Sequence, residues 1–221
     1  MSFPTPSRHR AALAAALAAA SLLGACAPII IGGVAVGSAM VVSDRRTAGA
    51  QVEDQSIEMK AGSSVGALMG DRAHINITSY NQVVLLTGEV PTEADKAAVE
   101  KNVAQIEHVR SVVNDLAVMP NSSFSARSND TYITGKVKAT FVDASDLSAN
   151  TIKVVTERGV VFLMGRITEA EAKRAVELTR NVPGVQKVVR VFEILTPAEV
   201  TAIQHSVPAQ PPAAASAPAK P

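Results

Sequence analysis

The 221-residue chain has a formal net charge of +1, 47% hydrophobic but only 3% aromatic residues, no Trp and a single Cys. That length holds one ordinary domain or two small ones, and so few aromatics leave little for large ring-built anchors. One cysteine excludes an intramolecular disulfide, and no Cys/His spacing points to a zinc site.

Arg8, His9 and Arg10 form a short basic region, and residues 11–23 follow without a charge, rich in Ala and Leu. This is the basic and apolar pattern of a secretory signal, too short for a confident transmembrane span. It closes on Leu23-Gly24-Ala25-Cys26, which resembles the bacterial lipobox, where small residues precede a cysteine that is lipidated and becomes the new N-terminus. Several acyl chains at about 0.8 kcal/mol per buried CH₂ hold a protein to a bilayer almost permanently. Residues 1–25 are therefore expected to be a signal peptide and Cys26 the lipid anchor. By resemblance to Gram-negative lipoproteins, Ala27 rather than Asp at the next position implies sorting to the outer membrane, with the folded part facing the periplasm. The apolar stretch up to Val42 contains Gly33 and Gly37 at GxxxG spacing but reads more simply as a membrane-proximal leader. It ends in the charged Ser43-Asp44-Arg45-Arg46, and the leader is expected to span 26–47.

The rest of the chain is a duplication. Ile75-Asn76-Ile77 and Val83-Val84-Leu85-Leu86-Thr87-Gly88 return at an offset of 77 as Ile152-Lys153-Val154 and Val160-Val161-Phe162-Leu163-Met164-Gly165. Asp54, Ile57 and Ala61 return at 76 as Asp130, Ile133 and Val137, and Val109, Val112 and Val113 as Val185, Val188 and Val189. Each unit reads the same way. Ile133, Val137 and Phe141 have helical spacing after Asp130-Thr131. Residues 152–156 alternate, Glu157-Arg158-Gly159 turn the chain, and 160–164 complete a hairpin. Thr168 with Glu171 is a capping-box pattern that opens a second helix. Pro183-Gly184 ends that helix, and 185–194 is a third strand. In the first unit Gly62, Gly66 and Gly70 weaken the opening helix, each by about 1 kcal/mol relative to Ala.

The predicted fold is α+β: two tandem small α-β-β-α-β domains, each a three-stranded mixed sheet with two helices, over 48–119 and 127–196. The Ser-rich 120–126 is expected to link them, and 197–221, rich in Ala and Pro, to be a disordered or extended tail.

A duplicated unit of this order, with Val84-Leu85-Leu86-Thr87-Gly88, Val161-Phe162-Leu163-Met164-Gly165 and the closing Gly184-Val185-Gln186-Lys187-Val188, resembles the BON domain. With the lipobox in front, the chain is similar to dual BON-domain outer-membrane lipoproteins as far as about Ile194. The first unit departs from the pattern in having His108 where the second has Gly184. The resemblance implies binding of anionic phospholipid through the second domain and a role in outer-membrane integrity.

Charge gives independent support. Residues 48–119 carry 5 Lys/Arg against 10 Asp/Glu, whereas 127–196 carry 11 against 8, so the second unit suits an anionic surface and the first is repelled by one. The phospholipid-binding set is expected to be Arg127, Ser128, Tyr132, Lys136, Lys138, Ala139 and Thr140. At about 100° per residue Tyr132, Lys136, Ala139 and Thr140 share a flank beside the apolar face. An amphipathic Tyr beside Lys suits a bilayer interface.

The other function classes are weaker. His9, His74, His108 and His205 are scattered, no nucleophile elbow or P-loop is present, and neither catalytic residues nor a cofactor is expected. A protein- or glycan-binding adaptor is the main alternative, its acidic first unit meeting outer-membrane assembly proteins. Nucleic acid is disfavoured by compartment and by the lack of an aromatic-basic surface.

Overall fold

The computed structural model describes residues 44–206, so Cys26, the leader before Asp44 and the stretch from Val207 onward lie outside the described residues. Thr47 starts the fold: its hydroxyl accepts from the Ala50 N–H and caps α1, Ala48–Met69. α1 runs through Gly62 and Gly66 and ends at Gly70, whose φ of +54° with ψ of −139° is a conformation glycine adopts readily and whose N–H donates to the Gly66 carbonyl. Gly70 is thus the stop signal of this helix rather than a cost within it. β1 (His74–Tyr80) and β2 (Val83–Val90) form an antiparallel hairpin, α2 (Glu93–Ala104) crosses over, and the chain returns parallel to β2 as β3 (Ser111–Asn114) and β4 (Ala117–Val118). The second unit repeats this with α3 (Phe124–Asp143), β5 (Ile152–Glu157), β6 (Val160–Ile167), α4 (Glu169–Arg180) and β7 (Lys187–Ile194). There β5 is antiparallel and β7 parallel to β6. The expected α+β architecture of two mixed sheets, each with two helices, is the one observed.

Each hairpin closes on two residues, Asn81-Gln82 at φ 50° and 66° and Arg158-Gly159 at φ 51° and 72°. Positive φ at both positions is the turn that matches strand twist. An aspartate from the opening helix holds each turn. Asp130 accepts the N–H of Arg158 and of Gly159, each at 2.8 Å. Asp54 accepts those of Asn81 and Gln82, each at 2.7 Å, and the Ser79 hydroxyl. The last glycine of each Val-x-Leu-x-Gly string has a steric cause: a Cβ on Gly165 would lie 2.7 Å from the Thr151 carbonyl, and one on Gly88 would overlap that of His74.

Both faces of each sheet are apolar. In β6, Val161, Leu163 and Ile167 meet Ile133, Val137 and Phe141 of α3 and Ala172 and Ala175 of α4. Phe162 and Met164 point the other way and pack against Tyr80 and Leu85 of the first unit. The order of layers is helices, sheet, sheet, helices, and the duplicated domains share a third core between their sheets.

Three boundaries differ from the sequence reading. α3 begins at Phe124, not after the 120–126 linker, because the Ser123 hydroxyl accepts from the Ala126 N–H and caps it. Residues 197–206 are helical (α5, Pro197–Ser206) rather than part of an extended tail. Thr196 and Glu199 form the cap: Thr196 N–H donates to Glu199 Oε2 at 2.7 Å and Glu199 N–H to Thr196 Oγ1 at 3.3 Å, with Pro at the first helical position. Finally, the charged end of the expected leader is folded onto both domains, as described below.

His108, the first unit's departure from glycine, holds φ at +67° where Gly184 has +100°. The backbone path is kept at the expense of side-chain strain, typically about 1–2 kcal/mol. His108→Gly is accordingly expected to raise stability by about 1 kcal/mol in urea unfolding, and Gly88→Ala to lower it by more than about 2 kcal/mol. Equal midpoints for all three proteins would contradict this account.

Candidate membrane-facing site

α3 presents its buried stripe, Ile133, Val137 and Phe141, to the sheet. On the opposite side Phe124, Ser128, Tyr132, Gly135, Ala139 and Val142 fall within an arc of about 80°. The apolar members are wet: Phe124 is 78%, Tyr132 66% and Val142 72% exposed. Lys136 flanks this face. Its Nζ lies 4.7 Å from the Tyr132 ring centroid and donates to the Pro183 carbonyl, so the cation is held beside the ring.

The expected contact set divides into groups. Ser128, Tyr132, Ala139 and Lys136 share the exposed face or its edge. Thr140 is half-buried, and its hydroxyl donates to the Lys136 carbonyl at 3.0 Å. Lys138 is exposed on the other flank, and no ion pair engages it among the described residues. Arg127 is half-buried and lines an inter-domain cleft of about 400 Å³ with His74, Asn76, Thr131 and Glu157. Sequence reasoning missed Phe124 and Val142. The signal is available, since Phe124, Gly135 and Val142 share helical spacing with Tyr132 and Ala139, but a Ser-rich composition places Phe124 in the linker.

Residues 44–46 lie against this region. Asp44, Lys138, Val142, Tyr80, Ile152 and Lys153 border one cavity of about 370 Å³. The next two residues bind one domain each. Arg45 makes a bidentate pair with Glu171 of the second domain at 2.7 and 2.8 Å and exchanges backbone–side-chain hydrogen bonds with Arg166. Arg46 pairs with Asp54 of the first at 2.8 Å and stacks 4.1 Å from the Tyr80 ring centroid. Residues 44–46 are thus a strap across the domain junction.

The junction itself is rich in paired charge. Glu193 accepts from Asn81 at 2.7 Å and from Arg110 at 3.2 Å, and Lys153 reaches Glu58 at 2.9 Å. Arg158 donates to Glu89 at 3.0 Å and to the Gly88 carbonyl at 2.9 Å. Burial alone would raise the Glu89 carboxyl, but hydrogen bonds from Ser122, Arg158 and His74 outweigh it and hold it below its ordinary value. Among the described residues no helix is long and apolar enough to cross a membrane.

Two α+β units are joined sheet to sheet, with the outer face of α3 exposed. The BON domain family matches residues 53–120 and 129–196, and the chain belongs to that family. It is 36% identical to the outer membrane lipoprotein DolP of Haemophilus influenzae, over 83% of this chain and 95% of that one. It is 35% identical to a 21 kDa hemolysin of Actinobacillus pleuropneumoniae, over 67% and 78%. It is 30% identical to osmotically-inducible protein Y of Escherichia coli, over 73% and 90%. The protein is a tandem BON-domain lipoprotein of the outer membrane, and none of these relatives carries an enzyme's name.

The strap has a pH signature. The Arg45 guanidinium, aided by hydrogen bonds from Thr168, holds the Glu171 carboxyl at about 2 in place of 4.5. A carboxyl depressed on folding adds stability that is complete above its unfolded value, near pH 4.5, and is lost as pH falls through about 2. Glu171→Gln is expected to cost about 1–2 kcal/mol at pH 7 and to flatten the stability profile between pH 4.5 and 2. An acid limb identical to that of the parent would refute the strap's contribution.

Proposed function

We propose that Cys26 carries the lipid anchor and that the exposed face of α3 binds anionic phospholipid, so that the protein supports the integrity of the outer membrane from its periplasmic face. The observation that carries this reading is the shared location of strap and helix. Asp44, at the head of the strap, borders the same cavity as Lys138 and Val142 of α3. Seventeen residues lie between Cys26 and Asp44, a covalent reach of at most about 60 Å. A tether of that length lets the headgroups be reached, and the sign of charge then favours the cationic second domain over the acidic first.

The magnitudes suit a reversible contact. Lys136 and Lys138 contribute about 1 kcal/mol each near an anionic leaflet, and partial burial of Phe124, Tyr132 and Val142 adds about 1 kcal/mol per side chain. Such binding is weak alone and effective when a covalent anchor supplies the proximity.

A second reading, a protein-binding adaptor, has its own observation. α1 of the acidic domain exposes Val52 and Met59 at 69% and 65%, seven residues apart on one face, where an outer-membrane assembly protein could dock. Both roles can coexist on opposite domains.

Vesicle flotation discriminates. Lys136→Ala with Lys138→Ala is expected to lower affinity for vesicles containing phosphatidylglycerol by roughly 10- to 30-fold, with little effect on zwitterionic vesicles. Tyr132→Ala with Val142→Ser is expected to weaken both. Unaltered binding in the two double variants, with folding intact by circular dichroism, would remove α3 from the membrane contact and leave the adaptor reading.

A further inference from the structure

The seam between the domains holds a cluster that neither the strap nor the α3 surface uses. His74 and Glu89 stand directly opposite each other across β1 and β2, and Glu157 ends β5 of the other domain. One ligand atom from each, an imidazole nitrogen and two carboxylate oxygens, lie within 4.8 Å of one another. Glu89 is 0% and Glu157 2% exposed. Arg158 neutralises Glu89. Glu157 has one side-chain hydrogen bond, from Asn76 Nδ2 at 2.8 Å, and no ion pair among the described residues. A buried carboxylate without a countercharge is costly, and this one faces an imidazole and a second carboxylate.

We propose that His74, Glu89 and Glu157 form a binding site for a zinc-class divalent cation that bridges the two domains. An imidazole nitrogen with two carboxylate oxygens is a mixed donor set that favours Zn²⁺ over the all-oxygen preference of Mg²⁺ and Ca²⁺. Ligand atoms around a tetrahedral zinc sit about 3.3 Å apart. His74 Nδ1 and Glu89 Oε2 are already 3.1 Å apart, in a hydrogen bond that the ion would replace, and the Glu157 oxygen lies within 4.8 Å of both. Arg158 and the Ser122 N–H orient Glu89, at 3.0 and 3.1 Å, and Asn76 orients Glu157, as groups behind metal ligands do. The inter-domain cleft of about 400 Å³ that His74 and Glu157 line provides the entry path and room for a water as fourth ligand. Three strands from two domains then converge on one ion, so its occupancy is coupled to domain pairing.

The test uses the full chain in detergent, stripped with chelator and titrated with zinc chloride by calorimetry, with thermal unfolding in parallel. One zinc per chain and a raised Tm are expected, with no comparable response to magnesium. His74→Ala and the isosteric Glu157→Gln should each weaken zinc binding at least about tenfold, while His108→Ala, remote from the cluster, should leave it unchanged. Glu157→Gln keeps the test valid if His74→Ala unfolds. Absence of saturable zinc binding in the parent protein, or full binding retained in the Glu157→Gln protein, overturns the site.

Discussion

The contact on which the rest of this structure depends is the one between the inner faces of the two sheets. Phe162 and Met164 of β6, fully buried, meet Tyr80 and Leu85 of the first hairpin. In a lone unit these residues would face water, and burying each is worth about 1.5–3 kcal/mol. A small sheet that is apolar on both sides cannot be satisfied by its own two helices. The duplication supplies the missing cover, so the two domains form a physical pair rather than beads on a flexible string.

That pairing gives the tether its meaning. Because the domains are held together, Arg45 on Glu171 and Arg46 on Asp54 can straddle them, and Asp44 is set beside Lys138 and Val142 at one end of α3. Were the domains free to separate, a strap with one residue on each would be broken by their motion. The two halves differ in what they expose: the cationic half Phe124, Tyr132 and Val142 on α3, the acidic half Val52 and Met59 on α1.

Around the apolar centre runs a ring of cross-domain polar contacts, Asn81 and Arg110 on Glu193, Lys153 on Glu58, Arg158 on Glu89 and Asn76 on Glu157. Desolvation offsets much of what such pairs gain, so their main effect is on register: a slipped sheet pairing would take the Arg158 cation from Glu89 and the Asn76 donor from Glu157. The apolar centre supplies the driving force, and the polar ring selects one arrangement.

Most of the local architecture was legible in the amino-acid sequence. The spacing of Ile133, Val137 and Phe141, the hairpin around Arg158-Gly159, the Thr168–Glu171 cap and the repeat at 76 to 77 residues are signals carried within a few turns of chain, where 3.6- and 2-residue periods act directly. Composition misled where position decided: serines near 123 and prolines near 197 suggested linker and tail, but Ser123 and Thr196 are helix caps. What no periodicity could show were contacts between residues 70 or more apart in the chain, such as Phe162 on Leu85, Arg45 on Glu171 and Glu157 beside His74. The order of elements, the core face of each helix and the charge of each unit were set by local pattern. The sheet-to-sheet pairing, the strap and the inter-domain cluster were decided only in three dimensions, because they arise from surfaces that each domain cannot bury alone.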